Sequence, residues 1–101
     1  MPLSVVGINH RSAPVAIRER IAFGEIDMPA ALDSLRQVPG VAEATIVSTC
    51  NRTEIYCQLY DGGEPLTHPT AWLLAQPQAQ QVDLRPFLYQ HDEDETVLFD
   101  R

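Results

Sequence analysis

Two strand-like runs separated by seven residues constrain this chain more than any other feature. Val41-Ala42-Glu43-Ala44-Thr45-Ile46-Val47 and Ile55-Tyr56-Cys57-Gln58-Leu59-Tyr60 are rich in β-branched and aromatic residues, which suit a half-buried pleated surface. Between them stands Ser48-Thr49-Cys50-Asn51-Arg52-Thr53-Glu54, so Cys50, Asn51 and Arg52 are expected at a tight reversal between two core strands. A thiol at a sheet end is held by rigid elements yet open to a ligand. A nearby cation favours the nucleophilic thiolate, and a guanidinium can grip a carboxylate through two parallel hydrogen bonds. A nucleophile beside a carboxylate clamp suits acyl chemistry on a carboxylate-bearing substrate. In the second run Ile55, Cys57 and Leu59 share one face and Glu54, Tyr56, Gln58 and Tyr60 the other, so Cys57 is expected in the core.

The rest of the chain arranges itself around that pair. Leu3 to Ile8 reads as a short buried strand, and Asn9-His10-Arg11 as a turn closing it. Ser12 suits a helix N-cap, with Pro14 in the first turn of a helix that Gly24 ends near Phe23. Asp27 suits the cap of a second helix, in which Ala31, Leu32, Leu35 and Val38 keep helical spacing until Pro39-Gly40. Asp61 to Pro65 reads as a loop and Thr70 to Ala75 as a helix. Gln76 to Gln81 reads as polar linker, Asp83 as the cap of a short turn to Pro86, and Phe87 to Gln90 as a fourth strand. Asp92-Glu93-Asp94-Glu95 would suit a helix start, where carboxylates oppose the dipole. Merging the two early helical pieces gives βαββαβ, an α+β ferredoxin-like split sheet with helices packed on one face.

Charge narrows the function classes. Among 101 residues, seven arginines without a lysine face fourteen carboxylates, for a net charge of -7. Nucleic-acid modules carry a basic patch because phosphate neutralisation dominates their affinity, so an autonomous one is excluded. A chain like this that handles a tRNA should touch little more than its charged end. No run approaches the ~20 apolar residues of a membrane span, and the N-terminus lacks a signal-peptide pattern, so no membrane and a cytoplasmic location are expected. The spacing of Cys50 and Cys57, with no further cysteine or nearby histidine, matches no metal site. His68 and His91 have no special context and read as surface residues.

Ser48 to Tyr56 resembles the signature of glutamyl-tRNA reductase, the NADPH-dependent first enzyme of five-carbon tetrapyrrole (porphyrin) synthesis. Gly7-Ile8-Asn9-His10-Arg11-Ser12-Ala13-Pro14-Val15, followed by Arg18-Glu19-Arg20, resembles the start of the same family, in the right order and separation. The resemblance covers residues 3–91, essentially the family's N-terminal catalytic domain, with 92–101 as the start of a truncated or diverged helix. It implies a ferredoxin-like fold and Cys50 as the nucleophile that forms a thioester with glutamate on the way to glutamate-1-semialdehyde. It implies that Thr49, Asn51 and Arg52 belong to the pocket gripping the glutamate moiety. The loop of Asn9 and His10 would shape that pocket, unless the pair is merely a hydrogen-bonded turn.

The same resemblance implies glutamyl-tRNA as partner, NADPH as cofactor of the full-length enzyme, and a homodimer formed through a domain with no counterpart here. The chain has no Gly-rich dinucleotide motif, so it is expected to bind no cofactor itself and to lack hydride-transfer capacity. The family also carries an active-site histidine in a segment after the fourth strand. The position falls on Phe99 counted without gaps, or on Val97 matched on Leu-Phe, and His91 belongs to the preceding strand. The alternative reading is a non-catalytic ferredoxin-like module for small-molecule binding or interaction, in which Cys50 is an incidental thiol.

Overall fold

The structure, a computed structural model, describes residues 3–60 and 67–93. Strand β1 (Leu3–Asn9) is followed by helices α1 (Val15–Ile21) and α2 (Met28–Arg36), then by strands β2 (Val41–Ser48) and β3 (Arg52–Leu59). Helix α3 (Thr67–Leu74), two short 3-10 turns at Pro77–Ala79 and Arg85–Phe87, and strand β4 (Tyr89–Glu93) complete the described chain. The sheet order is β2-β3-β1-β4 with every neighbouring pair antiparallel. Strand β3 therefore lies between β1 and β2, which run parallel to each other, and this is the split βαβ arrangement of a ferredoxin-like fold.

Alternation along the strands decides which face is covered. Val6 and Ile8 of β1, Ala44 and Ile46 of β2, and Ile55, Cys57 and Leu59 of β3 join one buried cluster with Ile21, Leu35, Trp72, Leu73 and Leu84 from the helical layer. Phe23 stacks on Trp72 with ring centroids 5.9 Å apart, and the Trp72 indole N–H donates to Ser34 Oγ at 2.9 Å. That bond satisfies the one polar atom of a ring otherwise surrounded by hydrocarbon. The opposite alternation sends Asn9, Arg52, Glu54, Tyr56, Tyr89 and His91 to the face without that cluster. Among the described residues no helix is long and apolar enough to cross a membrane.

Several local expectations are corrected. Ser12 does not cap α1; Pro14 holds that position with no side-chain bond, and Ser12 Oγ accepts the Asn9 backbone N–H at 2.9 Å instead. Asp27 does stand at the N-cap of α2, but without a side-chain bond to the helix. Strand β3 begins at Arg52, three residues before the apolar run, because Thr53 and Glu54 are already paired to β1 and β2. Gln76 to Gln81 is not a linker, since it contains a 3-10 turn with Ala79 buried beneath it. Strand β4 starts at Tyr89 and runs through Glu93, so Asp92 and Glu93 pair with β1 rather than open a helix. The expected loop at residues 61–65 and the helix expected beyond Glu93, with Val97 and Phe99, lie outside the described residues. Asp83 is not the cap of the short turn at Arg85–Phe87, a position that Leu84 holds, although Asp83 Oδ1 accepts the Arg85 N–H at 3.3 Å.

Cys57 is fully buried, and burial pushes its thiol from 9.0 up to about 12. The unfolded chain releases that proton near pH 9 while the folded chain keeps it, so stability is intact below pH 9 and falls as pH rises toward 12. Urea unfolding across this range should show a decline of up to about 1.4 kcal/mol per pH unit. Tyr56 and Tyr89, both raised above 10.0, add a decline of the same sign at higher pH. Cys57→Ala should lose stability at neutral pH but flatten the profile between pH 9 and 10.

Candidate functional site

The turn carrying Cys50 is built by its own hydroxyls. The Thr49 N–H donates to the Arg52 carbonyl at 2.8 Å, closing the hairpin. Thr49 Oγ1 accepts the N–H groups of Asn51 and Arg52 at 3.2 and 3.3 Å, which folds Cys50, Asn51 and Arg52 back on the threonine. Ser48 Oγ accepts the Phe23 N–H at 2.9 Å and lies 3.3 Å from Thr53 Oγ1, tying the end of β2 to the helical layer. Arg18 completes the bracing. Its Nη1 donates to the Ala13 carbonyl at 2.8 Å and its Nε to the Cys50 carbonyl at 3.2 Å. The thiol of Cys50 is free and exposed on this braced turn.

Arg52 leaves the turn on the helix-free face. Its Nε lies 3.4 Å from Glu54 Oε1, with the guanidinium half-exposed and the carboxylate largely covered. Glu54 Oε1 also accepts the Tyr56 hydroxyl at 2.9 Å, and Oε2 accepts the hydroxyl of Tyr89 from β4. This last bond spans the whole of β1, because Gly7 is paired with Glu54 on one side and Tyr89 on the other. A Cβ at position 7 would stand 2.4 Å from the Thr53 carbonyl oxygen and 2.8 Å from both Cα and Cγ of Glu54. Only glycine leaves the gap through which the carboxylate crosses the strand.

Burial pushes the Tyr89 phenol well above its ordinary value, and the hydrogen bond and charge of Glu54 push the same way. The Asn9 side chain, beside that phenol in the cavity, opposes them. Tyr56 is raised by burial first and by Glu54 second, against the charge of Arg52. Together Val5, Asn9, Arg52, Glu54, Tyr56, Tyr89 and His91 line a polar cavity of about 350 Å³. A wider groove of about 590 Å³ runs along α2 beside Phe23, but it gathers mainly apolar and acidic side chains next to Arg36 and Ser48.

The expected site residues thus divide. Thr49, Cys50 and Asn51 share the turn, and Arg52 and Asn9 meet in the cavity, where β1 and β3 are paired. His10 is exposed on the turn after β1 and does not line the cavity. Asn9 earns its place by geometry: its Oδ1 accepts the N–H groups of Arg11 and Ser12 at 2.8 and 3.0 Å. His91 is not a surface residue, being half-buried in the cavity wall with its ring 5.7 Å from that of Tyr89. Arg18, Glu54, Tyr56, Tyr89 and Gly7 escaped the sequence reading. The period-2 alternation of β3 placed Glu54 and Tyr56 on one face, but Tyr89 lies 35 residues further on and Arg18 32 residues before Cys50. The unexplained glycine inside β1 was the available signal. Among the described residues no group of three side chains is placed to hold a metal ion.

Comparison with known proteins identifies relatives along nearly the whole chain. The family described as glutamyl-tRNAGlu reductase, N-terminal domain, matches residues 6–99. A glutamyl-tRNA reductase of Stenotrophomonas maltophilia (strain K279a) is 47% identical over 97 residues, covering 96% of this chain and 21% of the relative. One of Coxiella burnetii (strain Dugway 5J108-111) is 45% identical over 97 residues, covering 96% and 22%. One of Methylococcus capsulatus (strain ATCC 33009 / NCIMB 11132 / Bath) is 42% identical over 99 residues, covering 96% and 23%. The chain therefore spans about a fifth of the length of the curated relatives it matches.

The crossing at Gly7 is open to a direct stability test. Gly7→Ala should cost about 1–3 kcal/mol in urea unfolding, the usual cost of overpacking, because the methyl group meets backbone on the neighbouring strand. Gly24→Ala, whose nearest neighbour would be Asp27 Oδ2 at 3.8 Å, should change stability by less than about 0.5 kcal/mol. Equal effects at the two positions would contradict the crossing.

Proposed function

This chain belongs to the family of glutamyl-tRNA reductase N-terminal domains, and from that premise we propose that Cys50 accepts the glutamyl group of glutamyl-tRNA as a thioester. The observation that carries this reading is an exposed thiol on a braced turn, followed two residues later by an arginine whose guanidinium enters a polar cavity. In the proposed step the Cys50 thiolate attacks the ester carbonyl joining glutamate to the terminal ribose. A carbon–sulfur bond forms, the carbon–oxygen bond breaks, and the departing ribose oxygen takes up a proton. A thiolate is a strong nucleophile, and the thioester lacks the resonance that protects an ester from later attack.

Around that step each neighbour has a physical task. Arg52 offers its two Nη groups to the side-chain carboxylate of the glutamyl moiety, since the contact with Glu54 uses Nε. Thr49 and Asn51 line the approach beside the thiol, and Asn9 shapes the cavity floor next to Tyr89. Arg18 holds the Cys50 carbonyl, so the turn does not yield as the acyl group arrives. An acidic chain suits contact with the charged end of a tRNA alone.

The cofactor of the proposed pathway finds no match in these residues. Dinucleotide pyrophosphates sit on a glycine-rich turn between a strand and a helix N-terminus. Here Gly7 is inside a strand, Gly24 lies between two helices, and Gly40, at φ 92°, connects a helix to a strand. NADPH therefore does not fit the described residues, and the reading for this chain ends at the acylated cysteine. Entry into tetrapyrrole synthesis rests on the remaining length of the relatives.

Incubation with glutamyl-tRNA labelled in the amino acid tests the reading. Protein-bound label that hydroxylamine removes should appear on the unmodified chain and on Cys57→Ser, and should vanish in Cys50→Ser. Arg52→Ala should slow labelling at low substrate by roughly tenfold to a hundredfold, the usual effect of losing a charge-assisted bond. Equal label on Cys50→Ser overturns the assignment of the nucleophile.

A further inference from the structure

We propose that Glu54, clamped between the hydroxyls of Tyr56 and Tyr89, is a positioning residue that aims Arg52 and thereby selects a glutamyl over a glutaminyl acyl group. This rests on the reading of Arg52 as the carboxylate grip. A carboxylate whose side chain is only 10% exposed needs its charge answered, and both of its oxygens are answered here. Oε1 accepts the Tyr56 hydroxyl and pairs with the Arg52 Nε at 3.4 Å, while Oε2 accepts the Tyr89 hydroxyl. Rotation of the carboxyl group would break one of the two tyrosine bonds, so Oε1 stands at a fixed point above the sheet. Arg52, itself 51% exposed, hangs from that point by Nε.

Three features make this a device rather than a chance contact. Tyr56 lies two residues beyond Glu54 on the same strand, hence on the same face. Tyr89 lies on the far side of β1, and reaches Glu54 only because position 7 has no side chain. The anchored end of the guanidinium is Nε, so the fork of two Nη groups is what a ligand meets. An unanchored arginine carries rotamer entropy that a ligand would have to overcome. With the clamp in place that ordering precedes the ligand, and a side-chain carboxylate finds two aligned charged donors. A side-chain amide of the same size offers one neutral acceptor and gains far less.

The test uses the 101-residue chain and small acyl donors, the α-thioesters of glutamate and of glutamine with N-acetylcysteamine. Transfer forms the Cys50 carbon–sulfur bond, breaks that of the donor, and protonates the departing thiolate; intact-mass spectrometry follows the rate. The expected result is that Tyr89→Phe and Glu54→Gln each lower the glutamyl-to-glutaminyl rate ratio at least roughly fivefold, as a charge-assisted bond acting at one remove would. Tyr56→Phe should lower it in the same direction, whereas Tyr60→Phe, on an exposed side chain, should leave both rates alone. In an Arg52→Ala background the Tyr89→Phe change should have no further effect on the ratio, because its path runs through the missing guanidinium.

A ratio lowered by Arg52→Ala but untouched by Tyr89→Phe, Tyr56→Phe and Glu54→Gln overturns this proposal and leaves the grip of Arg52 standing. A ratio untouched by Arg52→Ala overturns both. Glutamyl and glutaminyl rates falling together in all three clamp variants would mean a purely structural role, and also overturns the proposal.

Discussion

Glu54 is a carboxylate lifted out of water in the middle of a sheet face, and its compensation organises the surface around it. Two hydroxyl donors and one cation converge on it: a phenol from its own strand, a phenol from two strands away, and the guanidinium of the arginine that begins β3. Buried ionic groups seldom add net stability, because desolvation offsets most of the attraction. What such a group does well is fix geometry. Here one carboxylate ties β3 to β4 across β1, and so defines where the arginine of the cavity can sit. The requirement propagates inward: a residue other than glycine at position 7 would collide with the neighbouring strand and close the path.

The hairpin end is held by a different means. Thr49 folds the turn on its own hydroxyl, Ser48 ties β2 to the backbone before α2, and Arg18 reaches back from α1 to the Cys50 carbonyl. The thiol is therefore exposed while its backbone is braced from three directions. Reactive groups placed on turns between rigid strands combine access with fixed position, which free loops do not. The cysteine of β3 is placed differently, since Cys57 is packed among hydrocarbon and burial pushes its thiol up.

Much of this was legible in the residues. The β-branched runs on either side of Ser48 to Glu54 are strands, the alternation of Ile55, Cys57 and Leu59 marks the covered face, and the turn falls on Cys50 and Asn51. Family resemblance and element order led to the same fold. What was not legible depends on partners distant in sequence. Ser12 looks like a helix cap, yet the Asn9 turn claims its hydroxyl first. Phe87 to Gln90 has the composition of a strand, but Pro86 and a 3-10 turn delay it, so the pairing with β1 carries through to Glu93. The acidic run after His91 suggests a helix start, whereas sheet pairing claims its first two residues. The clamp on Glu54 was invisible for the same reason: no local pattern announces that a tyrosine 35 residues away will reach over a glycine.

The placement of Arg52 depends on whether the two tyrosine hydroxyls are held by Glu54 in solution, and their protons report it directly. NMR of the chain labelled in its tyrosine rings would measure how fast each hydroxyl proton exchanges with water. Tyr56 and Tyr89 should exchange slowly enough to be observed, with contacts from the Tyr89 proton to the protons of Gly7 beneath it, while exposed Tyr60 should exchange too fast to detect. Three hydroxyls exchanging alike would mean that the Glu54 carboxylate turns out to solvent, and would contradict the clamp on which the placement of Arg52 depends.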